Sequence, residues 1–149
     1  MLNAREIVLG LLLAVPLLAT AAPAAESEPT VTVYKSPTCG CCTKWIAHLE
    51  AQGFDVQPVD VTDLQQIKSR AGIAPAQASC HTARVADYVI EGHVPAGDIR
   101  RLLAEHPDAR GLTVPGMPQG APGMDVPTPQ HYQVLLIGKD GSTSVFAEH

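Results

Sequence analysis

Three observations predict a single mixed α/β domain for this chain. Runs of β-branched residues alternate with segments whose apolar positions recur at helical spacing. The portion beyond an apolar leader is roughly 125 residues, enough for one hydrophobic core and not for two. The last part of the chain gives up periodicity for glycine and proline before ending in two strand-like runs.

Residues 1–25 read as a signal peptide. Arg5 starts a weakly positive region, Val8 to Leu18 (VLGLLLAVPLL) is apolar, and Ala19-Thr20-Ala21 or Ala22-Pro23-Ala24 offers small residues for cleavage. The apolar run is short for a membrane span and contains Pro16, so export is expected over an uncleaved anchor. The destination is the periplasm if the cell is Gram-negative, with no stable membrane association after cleavage. Residues 26–149 then form the domain.

Its elements follow in order. Val31 to Tyr34 (VTVY) predicts the first strand, and Pro37 ends it. From Cys41, Trp45, Ile46 and Leu49 recur at helical spacing, with Gly53 as the stop. Phe54 to Val61 predicts a second strand, which Pro58 confines to an edge or makes irregular. Thr62-Asp63-Leu64-Gln65 resembles a capping box for a helix that places Leu64, Ile67 and Ala71 on one face and ends at Gly72. Residues 73–82 form a loop, Arg84 to Glu91 contains the third strand, and Gly92 turns the chain into a short return strand at His93-Val94-Pro95. Asp98 to Glu105 predicts a helix buried through Ile99, Leu102 and Leu103. The series β-α-β-α-β-β-α is that of a thioredoxin-like domain of glutaredoxin type.

Pro107 opens an extension over about residues 107–149. Gly111 to Pro129 (GLTVPGMPQGAPGMDVPTP) is nearly structureless by composition, and so long a loop calls for a function or a ligand that ties it down. It carries Met117 and Met124, each after a glycine. Tyr132 to Ile137, a Lys139-Asp140-Gly141 turn and Thr143 to Ala147 predict a closing β-hairpin.

The net charge is −5, and loss of Arg5 and Glu6 with the leader leaves it there. That excludes nucleic-acid binding, which needs a basic surface. All four cysteines, Cys39, Cys41, Cys42 and Cys80, belong to the exported part. Two structural disulfides are the ordinary expectation for such a chain. Cys41 and Cys42 are neighbours that do not bridge each other well, which leaves Cys39–Cys42 or a bridge to Cys80.

SPTCGCCTKW (residues 36–45) supports two chemistries. Cys39-x-x-Cys42 is the spacing of a thiol–disulfide couple, whereas Cys39-x-Cys41-Cys42 gathers three soft ligands in one turn. At a helix N-terminus the unpaired N–H groups and the helix dipole favour thiolate. In a glutaredoxin-like topology the loop entering the third strand passes this helix, so Ser79-Cys80-His81-Thr82 brings a fourth sulfur. Four thiols exceed what disulfide exchange requires. One tetrahedral zinc fits poorly, because structural zinc ligands come in C-x₂₋₄-C pairs; sulfurs bridging several ions fit better. Thiolate with thioether selects Cu(I), which gives Met117 and Met124 a role. His81, next to Cys80, is a candidate ligand, proton acceptor or supporting group. His93 is expected away from the cluster, His131 to return with the methionine loop, and His48, His106 and His149 to lie on the surface.

The stretches KSPTCGCCTKW, SCHTARV, EGHVP and GLTVPGMPQGAPGM, in this order after a signal peptide, resemble the CopG-type periplasmic copper-resistance proteins, a C-x-C-C family long labelled a domain of unknown function. The resemblance runs from Val31 to about Phe146. It implies a thioredoxin-like domain with a metal-binding extension and a cysteine-bridged cluster of several copper ions. It also implies interconversion of Cu(I) and Cu(II) in support of copper export. Carried over, the sulfur ligands are Cys39, Cys41, Cys42, Cys80, Met117 and Met124. The partners expected are copper ions and copper-efflux or other periplasmic copper-handling proteins, and the chain is expected to be monomeric. Two other functions remain open on the residues alone: a metal-free thiol–disulfide oxidoreductase with Cys39 and Cys42 as catalytic residues, and a passive copper store or carrier.

Overall fold

The computed structural model describes residues 29–149, so the expected signal peptide lies outside the described residues. Their elements are β1 (Val31–Lys35), α1 (Gly40–Ala51), β2 (Val56–Asp60), α2 (Leu64–Arg70), β3 (Thr82–Val85), β4 (Tyr88–Glu91), α3 (Ala96–Glu105), β5 (Ala109–Thr113), β6 (Gln133–Gly138) and β7 (Thr143–Glu148). A single 3-10 turn, Pro75–Gln77, precedes β3. Among the described residues no helix is long and apolar enough to cross a membrane.

The strands make one seven-stranded sheet in the order β2-β1-β3-β4-β5-β6-β7. β1 runs parallel to β2 and antiparallel to β3, and β3 is antiparallel to β4. β5 then adds parallel to β4, with α3 as the connecting helix, and β6 and β7 add antiparallel. Pro58 is accommodated because β2 is an edge strand, where a missing N–H costs no ladder bond.

Strand alternation divides the core. Val31, Val33, Ala83, Val85, Tyr88 and Ile90 pack with Trp45, Ile46 and Leu49 of α1 and Ile99 and Leu102 of α3. Val89 faces the other way and packs with Ala71, Ile73 and Ile137. Burying a leucine- or isoleucine-sized side chain contributes about 1.5–3 kcal/mol, so the first cluster dominates stability.

Three expectations are corrected. The return strand is Tyr88–Glu91 and not His93–Pro95: Val85 pairs with Tyr88 across a two-residue turn in which Ala86 takes φ +48°. Pro95 instead occupies the N-cap of α3, where its missing N–H is harmless. The cap of α2 is Asp63, whose side chain accepts from Gln66 N at 2.9 Å, one residue later than the predicted box. Residues 111–113, expected to be loop, belong to β5, where strand pairing with β4 and β6 overrides weak local composition.

This topology gathers one end of the sheet. β1 ends at Lys35 beside the start of β3, Tyr34 pairing with Thr82, and Thr82 pairs with Glu91 at the end of β4. The turn into α1, the segment before β3 and the turn after β4 therefore meet.

Candidate metal centre

Cys39 caps α1, its sulfur accepting from Cys42 N at 3.3 Å, so the helix starts on the motif itself. Cys39 and Cys42 form a disulfide with their Cα atoms 5.3 Å apart. Cys41 and Cys80 are free thiols. Cys80 Sγ lies 3.6 Å from Cys42 Sγ and 3.8 Å from Cys41 Sγ, and Cys41 Sγ lies 3.6 Å from Cys39 Sγ. All four sulfurs fall within 4.8 Å of one another.

Two imidazoles complete the cluster. Cys80 Sγ is 3.0 Å from His93 Nε2 and 3.3 Å from His81 Nδ1. His93 Nδ1 is 2.7 Å from the Pro122 carbonyl, an acceptor only, so Nδ1 carries the proton and Nε2 presents its lone pair to Cys80. Both rings are fully buried. His81 packs on Trp45 with centroids 4.4 Å apart, and Trp45 is fixed by donating to Val94 O at 2.8 Å.

Burial governs the protonation states. It holds His81 down to about 3, helped by the charges of His93 and Lys68, and it lowers His93 as well. Burial and the neighbouring Cys41 push the Cys80 thiol up to about 12. In the metal-free protein at neutral pH Cys80 is therefore a thiol beside a neutral His93, and binding a soft ion there releases the Cys80 proton.

A buried polar network fixes the Cys80 segment. Glu91, fully buried, accepts from Ser79 N at 2.7 Å and from the Thr82 hydroxyl at 2.6 Å, and it pairs with Lys68. Lys68 also donates to Thr82 at 3.1 Å. Burial raises the Glu91 carboxyl against the pull of Lys68. Lys68 is the buried residue of α2; of the expected apolar face, Leu64 and Ile67 are only half-buried, and Ala71 at the C-cap is buried.

The Gly/Pro loop closes the site from outside. Gly116 N donates to Ala78 O at 3.0 Å, and Ser79 donates to Gly116 O. Gly123 takes φ +84° and lies so close to α1 that a Cβ there would sit 2.8 Å from Trp45 N and 2.9 Å from Cys41 O. Met124 is half-buried and lines, with Cys41, Gly40, Lys44 and Gln119, a groove of about 380 Å³. Met117 is 54% exposed. A larger groove of about 580 Å³, lined by residues that include Val114, Pro118, His131 and Tyr132, contains none of the cysteines; size does not mark the chemistry here.

The histidine expectations need correction. His93 was expected away from the cluster and is its closest nitrogen to Cys80, because the return strand ends earlier and the turn after β4 points back across the site. His131 does not return with the loop to the sulfurs; its Nδ1 bonds the His149 carbonyl at 3.1 Å. His48 is half-buried, and its Nε2 accepts from Ala96 N, capping α3. His149 pairs with Asp98 at 2.7 Å, while His106 is exposed at the end of α3. The signal that could have found His93 is the one-residue gap between Glu91, partner of Thr82, and the histidine itself.

The donor set fits soft metal. After reduction of the bridge it offers four thiolates, with two imidazoles at Cys80, and His81 Nε2 is buried without a hydrogen-bond partner among the described residues.

Residues 77–124 match the model of a family described as a protein of unknown function, DUF411. No curated protein matches the sequence. Two solved structures, copper resistance protein CopG in form 1 and form 2, each align with a TM-score of 0.78 and 42% identity, covering 82% of this chain and 98% of theirs. The chain belongs to the CopG-type family. The matched family segment carries Cys80, His81, His93 and both loop methionines, whereas the C-x-C-C turn precedes it.

Proposed function

We propose that this protein handles copper, held by thiolates of Cys39, Cys41, Cys42 and Cys80 in a cluster of several ions. His81, His93, Met117 and Met124 are the further ligands, of which His93 is added by its 3.0 Å approach to Cys80. The observation that carries the reading is the convergence of four sulfurs within 4.8 Å from two separate parts of the chain. The copper resistance name of the similar structures supports the choice of metal. The four sulfurs with two imidazoles at Cys80 exceed the needs of one tetrahedral zinc, and thiolate with thioether matches Cu(I).

In this reading the protein interconverts Cu(I) and Cu(II) in support of copper resistance and export. The strand order β2-β1-β3-β4 and its directions support a thioredoxin-like domain over residues 26–149. Residues 1–25 act as the signal peptide that delivers a monomer to the periplasm, where copper-efflux proteins are the natural recipients.

Anaerobically reduced protein is expected to bind more than one Cu(I) per chain and to prefer it to zinc, read by metal analysis after competition with a chelator. A protein that takes one zinc in preference to copper overturns the reading. Spectroscopic cycling with a reductant and O₂ separates a redox protein from a passive carrier, which has no need to cycle.

The Cys39–Cys42 disulfide favours a second reading, a metal-free thiol–disulfide oxidoreductase. It predicts disulfide-exchange activity of metal-free protein that is lost in Cys39→Ser. The copper reading differs in giving Cys41 and Cys80 work that exchange does not require: Cys41→Ser and Cys80→Ser should weaken Cu(I) binding and leave exchange at Cys39–Cys42 intact.

A further inference from the structure

The centre contains two unlike pairs of sulfurs. Cys39 and Cys42 are joined, and Cys41 and Cys80 remain thiols although each lies 3.6 Å from a bridged sulfur. The local frame explains the choice. Cys39 at the N-cap and Cys42 in the first turn stand at a Cα separation of 5.3 Å, inside the range a bridge requires. Cys80 is instead drawn toward nitrogen, 3.0 Å from His93 and 3.3 Å from His81, and these three residues alone form a compact donor group. Cys41 opens on the groove that Met124 lines. With the bridge closed, the site still offers two sulfurs and two imidazoles, one of them with a buried nitrogen lacking a partner among the described residues.

We propose that the two pairs divide the work: Cys39 and Cys42 are the electron donors that reduce Cu(II), and Cys41 and Cys80 are the sulfurs that retain the Cu(I) formed. This rests on the copper reading and deepens it. In the step, the Cys39 and Cys42 thiols release their protons to solvent, and each thiolate gives one electron. An S–S bond forms between them, and two Cu(II) become two Cu(I). The Cys41 and Cys80 sulfurs exchange their protons for the Cu(I) formed, and those protons also pass to solvent. The two parses of the C-x-C-C turn thereby describe consecutive uses of one site, with the arrangement seen here as its oxidised form. Reopening the bridge needs two electrons from an external dithiol, by exchange through a mixed disulfide.

The test uses the reduced protein under argon. Cu(II) sulfate is added, Cu(I) is read with a Cu(I)-specific chromogenic chelator, thiols are counted after denaturation, and bridges are mapped by mass spectrometry. Thiols are expected to fall from four to two, with two Cu(I) per bridge and the bridge at Cys39–Cys42. Cys39→Ser places a preferred capping residue at the N-cap and so preserves the helix start. It is expected to slow Cu(II) reduction by about tenfold or more, and to weaken binding of added Cu(I) by less than that, because Cys41 and Cys80 remain; Cys42→Ala is expected to do the same. A mapped bridge that includes Cys41 or Cys80, or undiminished reduction by both variants, overturns the division. If reduced protein binds Cu(I) but keeps all four thiols when given Cu(II), this inference alone falls. If it binds no Cu(I), the copper reading falls with it.

Discussion

The segment Ser79–Thr82 and the loop from Val114 to His131 both contribute to the sulfur site, and they are held by opposite means. The first is tied by charge inside the core: Glu91 and Lys68, both buried, bond Ser79 N and the Thr82 hydroxyl at either side of Cys80. The second is laid on by shape and backbone. Gly123 is seated against α1, the Pro122 carbonyl receives His93, and Gly116 is stitched to Ala78 and Ser79. Cys80, on the first segment, has its place fixed by folding. Met124, on the second, can be displaced without unfolding the sheet.

The largest test of this contrast removes the charge on the first side. Lys68→Met leaves Glu91 buried and unpaired, which costs about 3–5 kcal/mol of stability. Urea denaturation of the metal-free protein should show it as a lower midpoint with an unchanged slope. The double variant Lys68→Met with Glu91→Gln should recover a large part, since an amide oxygen still accepts from Ser79 N without a charge to bury. A loss in Lys68→Met within about 0.5 kcal/mol, the range of ordinary surface substitutions, would mean that the buried pair does not secure this wall.

On the second side the sharper probe is Gly123→Ala. The added Cβ meets backbone atoms of α1 at 2.8 and 2.9 Å, and alanine strains at φ +84°. The expected cost is about 1–3 kcal/mol, smaller than for Lys68→Met because the loop can lift. Lifting takes Pro122 away from His93 and Met124 away from Cys41, so Cu(I) affinity by chelator competition should fall further than the melting temperature suggests. Equal affinity with a lowered melting temperature would remove the loop from the binding site.

The same division decides how much could be read from the residues alone. The C-x-C-C turn is local, three cysteines within four positions at a helix start, and its placement follows from periodicity and capping. Cys80 follows once β3 is set beside β1. His93 was missed because its position depends on where β4 ends, and a shift of the hairpin by a few residues moved it from periphery to centre. Lys68 was missed for a different reason: a lysine on a helix reads as solvated, and only the pairing of Thr82 with Glu91 supplies the buried carboxylate that makes it a core residue. Strand β5 was partly concealed by glycine and proline, whose local preference the neighbouring strands overrule.

The smallest expected effect separates the two methionines. Each follows a glycine in the same loop and is equivalent to the other by sequence, yet Met124 is half-buried in the Cys41 groove and Met117 is 54% exposed. Met124 is also fixed at both backbone groups, its N–H donating to Ala121 O and its carbonyl accepting from Gly120 N, each at 2.8 Å. Leucine keeps the volume of methionine and removes the sulfur, so it isolates ligation from packing. Met124→Leu should weaken Cu(I) binding by about tenfold, equivalent to about 1.4 kcal/mol, with stability unchanged. Met117→Leu should weaken it less, because an exposed thioether spends more of its binding energy on being ordered. The reverse order in chelator competition would assign the docking thioether to Met117, and with it the task of closing the loop over the cysteines.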